Sequence, residues 1–98
     1  MSEKFAQVIE SGTSKNMTAT GDVTTQTTRL MGFYVNSTSA GTLVLTAGGS
    51  GGTALCGTIT PLTGFHAYPC IATEGLHATI GGTLDVTFFY ESEPTWGN

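Results

Sequence analysis

The stretch TLDVTFFYE, residues 83–91, decides how the rest of the chain is read. Side chains along a β-strand point alternately to opposite faces. Here Leu84, Val86, Phe88 and Tyr90 fall on one side, and Thr83, Asp85, Thr87 and Glu91 on the other. A slip of one residue would bury Asp85 and expose the apolar row, so burial holds the register. Phe89 departs from the pattern, an aromatic ring on the wet face.

Working outward, the same alternation recurs. RLMGFYVNS (29–37) places Met31, Phe33 and Val35 inward and Tyr34 outward. TLVLTA (42–47) places Leu43, Leu45 and Ala47 on one face and Thr42, Val44 and Thr46 on the other. TALCGTIT (53–60) turns Leu55 and Ile59 inward, with Cys56, Thr58 and Thr60 opposite. GLHATIG (75–81) offers Leu76, Ala78 and Ile80 to the core and His77 and Thr79 to water. Between these runs stand STSAG (37–41), GGSGG (48–52) and Gly81-Gly82, which read as hairpin turns because glycine reaches positive φ at little steric cost. Gly81-Gly82 is the tightest of them. Pro69 removes an amide donor from FHAYPCI (65–71) and makes it an edge strand, a bulge or a loop.

The N-terminal third is less regular. KFAQVIE (4–10) reads as a strand with Phe5 and Ile9 on one face, and NMTATG (16–21) and DVTTQTT (22–28) as weak strands, the latter with little to bury. The tail ESEPTWGN is polar except for Trp96. About a fifth of the 98 residues are threonine and 14 are glycine, and no run has the spacing of a helix. Threonine is branched at Cβ and suits the pleated surface of a strand. The expectation is one all-β domain: a small β-sandwich or jelly roll of about seven or eight short antiparallel strands. Residues 1–29 would form an arm with irregular strands, 30–91 the core and 92–98 the tail.

Charge narrows the partners. Three Lys and Arg against seven Asp and Glu give a net charge of −4, so no basic stripe exists to displace counterions from nucleic acid. The N-terminus lacks the pattern of a signal peptide, and no apolar run approaches the roughly 18 residues of a membrane helix. A soluble chain made in the cytoplasm is expected, with Cys56 and Cys70 reduced.

Candidates for chemistry are few. Two thiols and two imidazoles suggest zinc, but Cys56, His66, Cys70 and His77 show none of the close pairs by which a turn pre-positions ligands. A Cys70–His66 nucleophile would need an alignment that Pro69 interrupts. Glu91 and Glu93 stand at strand spacing near the tail, where nothing would desolvate them, and Asp22 and Asp85 stand alone. GGSGG lacks the Lys-Ser/Thr and the helix of a phosphate loop. No catalytic residue, cofactor or metal is expected. The aromatics hold more promise: Tyr34, Tyr68, Phe89 and Trp96 fall on outward faces or in the tail, and such rings meet protein or sugar.

Residues 30–90 carry a resemblance. Through GTLVLTAGGSGGTAL, FHAYPC and GLHATIGGTLDVTFFY the chain resembles small virion proteins of tailed bacteriophages, of the capsid decoration (cement) class. The resemblance covers about three fifths of the chain and brings no catalytic residues. It implies a non-enzymatic structural protein, made in the host cytoplasm, that sits on the capsid surface as a dimer or trimer, binds the major capsid protein and stabilises the shell. On that expectation Phe5, Val8 and Ile9 of the arm join Tyr34, Tyr68, Phe89 and Trp96 as interface candidates. Rival expectations are another virion component (tail, fibre or head-tail joining protein) or a carbohydrate-binding sandwich in which Tyr34, Tyr68 or Trp96 stacks on sugar rings.

Overall fold

A computed structural model of the chain describes residues 13–92. It is all-β: β1 (Thr13–Met17), β2 (Gly21–Thr24), β3 (Thr28–Ala47), β4 (Thr53–Ala54), β5 (Gly64–Ala72) and β6 (Leu76–Ser92) form one antiparallel sheet. The arm strand at 4–10 and the tail lie outside the described residues.

Two strands dominate. β3 and β6 pair from Thr28↔Ser92 to Ala47↔Leu76 as one long ribbon. At one end the strand order is β1-β6-β3-β5, and at the other β2-β6-β3-β4. Among the described residues the expected seven or eight short strands are thus corrected to six. RLMGFYVNS and TLVLTA are halves of β3, and GLHATIG and TLDVTFFYE are halves of β6. STSAG and Gly81-Gly82 are not hairpin turns. They lie opposite each other within the ribbon, Ser39 pairing Thr83 and Thr42 pairing Gly81. Locally each is turn chemistry; across the sheet they form a bend. GGSGG does turn the chain, joining β3 to β4.

The ribbon curves because its strands differ in length. β3 uses 20 residues against 17 in β6, and three register shifts, at Leu30/Gly32, Val35/Ser37 and Ser39/Thr42, absorb the three extra residues. A bulged strand bends and gains twist. A straight strand of this length would run roughly 65 Å, whereas the longest extent of the described chain is 40 Å. At the third shift Ala40 takes φ 54° and Gly82 φ 65°. A Cβ on Gly82 would stand 2.6 Å from the Ala40 carbonyl oxygen, so the two strands approach there as only glycine allows.

Threonine hydroxyls replace ladder bonds where the sheet bends. Between β1 and β2, Thr20 Oγ1 accepts from the Ile80 amide at 2.9 Å and donates to the Ile80 carbonyl at 3.2 Å. Thr38 Oγ1 accepts from the Gly41 amide at 3.1 Å and donates to the Thr83 carbonyl at 3.4 Å. Buried backbone groups need partners, and a short hydroxyl supplies one where the next strand is out of reach.

One hydrophobic cluster joins both ends of the ribbon, with Leu30, Phe33, Val35, Val86 and Phe88 from one end and Leu43, Leu45, Leu76 and Ala78 from the other. Leu84, Val86, Phe88 and Tyr90 are all buried, as the alternation requires. The inward set of β3 needs correction: Leu30 and Phe33 are buried and Met31 only half so, because the first bulge falls at Met31 and shifts the phase by one. Val23 and Thr28 are also buried, so DVTTQTT contributes to the core.

Candidate binding surface

The outer face of the β1-β6-β3-β5 end brings two kinds of side chain side by side. Tyr34 of β3 and Phe89 of β6 are 42% and 37% exposed, as expected of outward aromatics. Register places Tyr34 opposite Phe65 of β5, itself 56% exposed, and Gly32 opposite Phe89. A Cβ on Gly32 would meet Phe65 Cζ at 2.9 Å, so the Phe65 ring lies across the bare backbone of β3. From there it reaches Phe89, with ring centroids 6.3 Å apart. Phe65 and Phe89 thus make a ring contact of the kind favoured beyond simple area burial, and Tyr34, opposite Phe65, extends the aromatic strip on the same face.

Next to the strip stands a polar cluster. Asn16 of β1 and Asn36 of β3 flank Asp85 and Thr87 of β6 from either side. Asn16 Nδ2 donates to Asp85 Oδ1 at 2.6 Å and to Thr87 Oγ1 at 3.1 Å. Asn36 Nδ2 donates to the same two oxygens at 3.1 and 3.0 Å. Asp85 therefore does not stand alone; two amides hold it.

The outward side of β5 is apolar throughout, with Phe65, Ala67, Pro69 and Ile71 alternating as exposed residues. Pro69 sits at a register shift on this edge strand. The row Phe-Ala-Pro-Ile was readable in FHAYPCI as a two-residue period; the proline drew attention to the break and away from the side chains.

Tyr68 does not join this surface. It lies on the inner side of β5 beside His66 and Cys70, packs against the core and donates from its hydroxyl to the Leu55 carbonyl at 2.8 Å. Its outward assignment failed because alternation in a strand without a clear apolar row leaves the phase open. Phe5, Val8, Ile9 and Trp96 lie outside the described residues.

The groups weighed for chemistry are placed as follows. Cys56 and Cys70 are free thiols. Burial pushes the Cys70 thiol above its ordinary range, with Cys56 beside it as a smaller cause. Burial likewise raises the Tyr68 phenol, with Cys56 next in effect. A thiol raised in this way, as at Cys70, is a poor nucleophile. His66 donates from Nε2 to the Leu62 carbonyl at 2.7 Å and packs against Phe33, with ring centroids 5.3 Å apart. It is not engaged with Cys70. No group of three or more His, Cys, Asp or Glu is arranged to hold a metal ion among the described residues.

Two expectations are overturned. His77 is not on the wet face: it is 7% exposed, and its Nδ1 donates to Asp22 Oδ1 at 2.8 Å, so Asp22 is paired as well. His77 Nε2 is buried without a hydrogen-bond partner. β2 crosses beside this part of β6, with Asp22 opposite His77, and that long-range pairing is invisible in local pattern. Glu91, read as solvated, is 4% exposed; it lies opposite Arg29, and neither carboxylate oxygen is hydrogen-bonded among the described residues.

No protein-family model matches the chain, and no curated protein or solved structure matches it.

Proposed function

We propose that the chain is a structural protein of a virus particle that acts by surface docking, of the capsid decoration kind that residues 30–90 resemble. In this reading it has no enzymatic role, binds the major capsid protein on the outside of the shell, and self-associates as a dimer or trimer. The bent sheet would close on itself as a small sandwich, the two ends of the ribbon covering each other's apolar faces. That closure accounts for side chains buried at both ends in one cluster, with no helix among the described residues to cover them.

The observation that carries the proposal is the contrast between the two edges at one end of the sheet. β1, TSKNM, is guarded: its residues are polar up to Met17, with Lys15 exposed. Natural sheets protect edges in this way. β5, GFHAYPCIA, carries no Lys, Arg, Asp or Glu, and turns an apolar row outward over nine residues. Only Pro69 blunts it. An edge left open beside an apolar face is suited to being covered by a neighbour in an assembly.

Weak contacts suffice in such a setting. Once one contact to a lattice forms, the next is effectively intramolecular, and a protein that binds the assembled shell better than free subunits stabilises it by mass action. Quantitative mass spectrometry on purified particles tests the proposal. A copy number comparable to the major capsid protein is expected. A few to a few dozen copies would assign the chain to a tail or vertex instead, and absence from particles would refute the virion reading.

A further inference from the structure

The aromatic strip and the polar cluster beside it raise a question that assembly does not answer: what ligand would satisfy both? The cluster can be followed proton by proton. Asn16 Nδ2 and Asn36 Nδ2 each direct their hydrogens to Asp85 Oδ1 and Thr87 Oγ1, and Asn16 Nδ2 also reaches the Val86 carbonyl oxygen at 3.3 Å. An amide nitrogen has two protons, so both nitrogens are committed. What remains is mainly oxygen: Asn16 Oδ1, Asn36 Oδ1 and Asp85 Oδ2 make no hydrogen bond among the described residues, while the Thr87 hydroxyl, accepting from both amides, keeps one proton to donate. The partner of this patch must bring chiefly donors, with room for one acceptor. Alongside, Tyr34, Phe65 and Phe89 offer exposed ring surface, and their partner must bring C–H.

We infer that the outer face of β1, β6 and β3 is a saccharide-binding surface, with Tyr34 and Phe89 stacking on the C–H face of a sugar ring and Asn16, Asn36 and Asp85 accepting hydrogen bonds from its hydroxyls. A pyranose presents both chemistries side by side, apolar C–H on one face and donors around the rim. Small-molecule sites combine apolar contact with a few convergent polar groups in this manner. The side chains sit on neighbouring strands of a sheet and are tied by four short hydrogen bonds, so little order is lost on binding.

Two other occupants fit less well. A second copy of this chain has hydroxyl donors but few cationic ones, with three Lys and Arg, and its net charge of −4 disfavours approach to Asp85. A basic peptide would seek unneutralised carboxylates, and the cluster has one, already accepting from two amides. The inference does not rest on the virion reading, and Ala67, Pro69 and Ile71 of the β5 edge remain free for assembly.

The test is a microarray of bacterial surface polysaccharides probed with the labelled full-length chain. Binding to a subset of glycans is expected. It should persist at about 0.5 M salt, where exposed charge–charge attraction is screened. Tyr34→Ala and Asn36→Ala should each weaken it by about tenfold, the scale of losing one stacked ring or one polar anchor. Melting curves confirm that each variant is folded, and Phe89→Leu, which keeps apolar bulk but removes the ring, gives a second reading on the same face. Binding to none of the glycans would overturn the inference, as would variants that bind as well as the parent. So would capture of polylysine alone, lost in salt, or a self-association seen by sedimentation and abolished by Tyr34→Ala. Any of these results leaves the particle copy number, and with it the structural reading, untouched.

Discussion

At the scale of single residues, the buried pair at the β2 edge shows how far a local reading can miss. Asp22 has a half-exposed carboxylate and no neighbour in sequence that explains it, yet it accepts the Nδ1 proton of a buried histidine. Asp22→Ala leaves that donor unpaired inside the protein, and such a loss costs about 1–3 kcal/mol. Urea unfolding of Asp22→Ala should show a shift of that size, whereas an ordinary surface carboxylate would move the midpoint little. The raised thiol and phenols give a second residue-scale expectation. Cys70, Tyr68 and Tyr90 hold their protons more tightly when folded, chiefly because burial disfavours the charged forms. Their contribution is complete below the ordinary values of 9.0 and 10.0 and is lost as pH rises through the higher folded ones. Stability measured by denaturant titration should therefore fall above pH 9.0, and Cys70→Ala should remove the earliest part of that fall.

At the scale of elements, the bend of the β3–β6 ribbon is the feature that positions everything else. It turns on Gly82, whose positive φ and closeness to the Ala40 carbonyl leave no room for a side chain. Gly82→Ala should destabilise the fold by about 2–4 kcal/mol, adding left-handed strain to a steric clash. Gly51→Ala at the tip of the β3–β4 turn has open space around it and should change stability by less than about 0.5 kcal/mol. A turn reading would reverse those expectations only if Gly81-Gly82 stood free of another strand. The alternation within each run was legible because burial on one face writes it directly into the residues, and the inward rows of 84–90 and 43–47 are as read. The joining of the runs was not legible. STSAG and Gly81-Gly82 have the composition of turns, and their pairing depends on residues about 40 positions apart in the chain. The phase error at Met31 has the same origin, since a bulge is a property of two strands.

At the scale of the whole molecule, one core links both ends of the bent sheet, so the described part of the chain should unfold as a unit. Phe88 is fully buried and packs on Phe33 with ring centroids 5.8 Å apart. Phe88→Ala should cost about 3–5 kcal/mol, lowering a single cooperative transition without splitting it, as followed by far-UV circular dichroism and tyrosine fluorescence together. The candidate surface belongs to this scale too. Tyr34 and Phe89 could be picked out as outward rings because each interrupts a row of polar residues. Phe65 shared a readable two-residue period that Pro69 obscured, whereas the convergence of Asn16 and Asn36 on Asp85 was not readable, for these come from strands brought together by pairing at separations of 49 and 69 residues. By itself the sequence determined that the chain is all-β, which faces of its best strands are buried, and that it carries few charges, three Lys and Arg against seven Asp and Glu. Those properties follow from period, composition and count, which are local or additive. Only the tertiary structure decided that two pairs of runs are two long bent strands, that His77 is buried against Asp22, and that aromatic and acceptor groups share one face. Each of these is set by which backbone groups find one another across the sheet, a choice made by the shared core and not by any single segment.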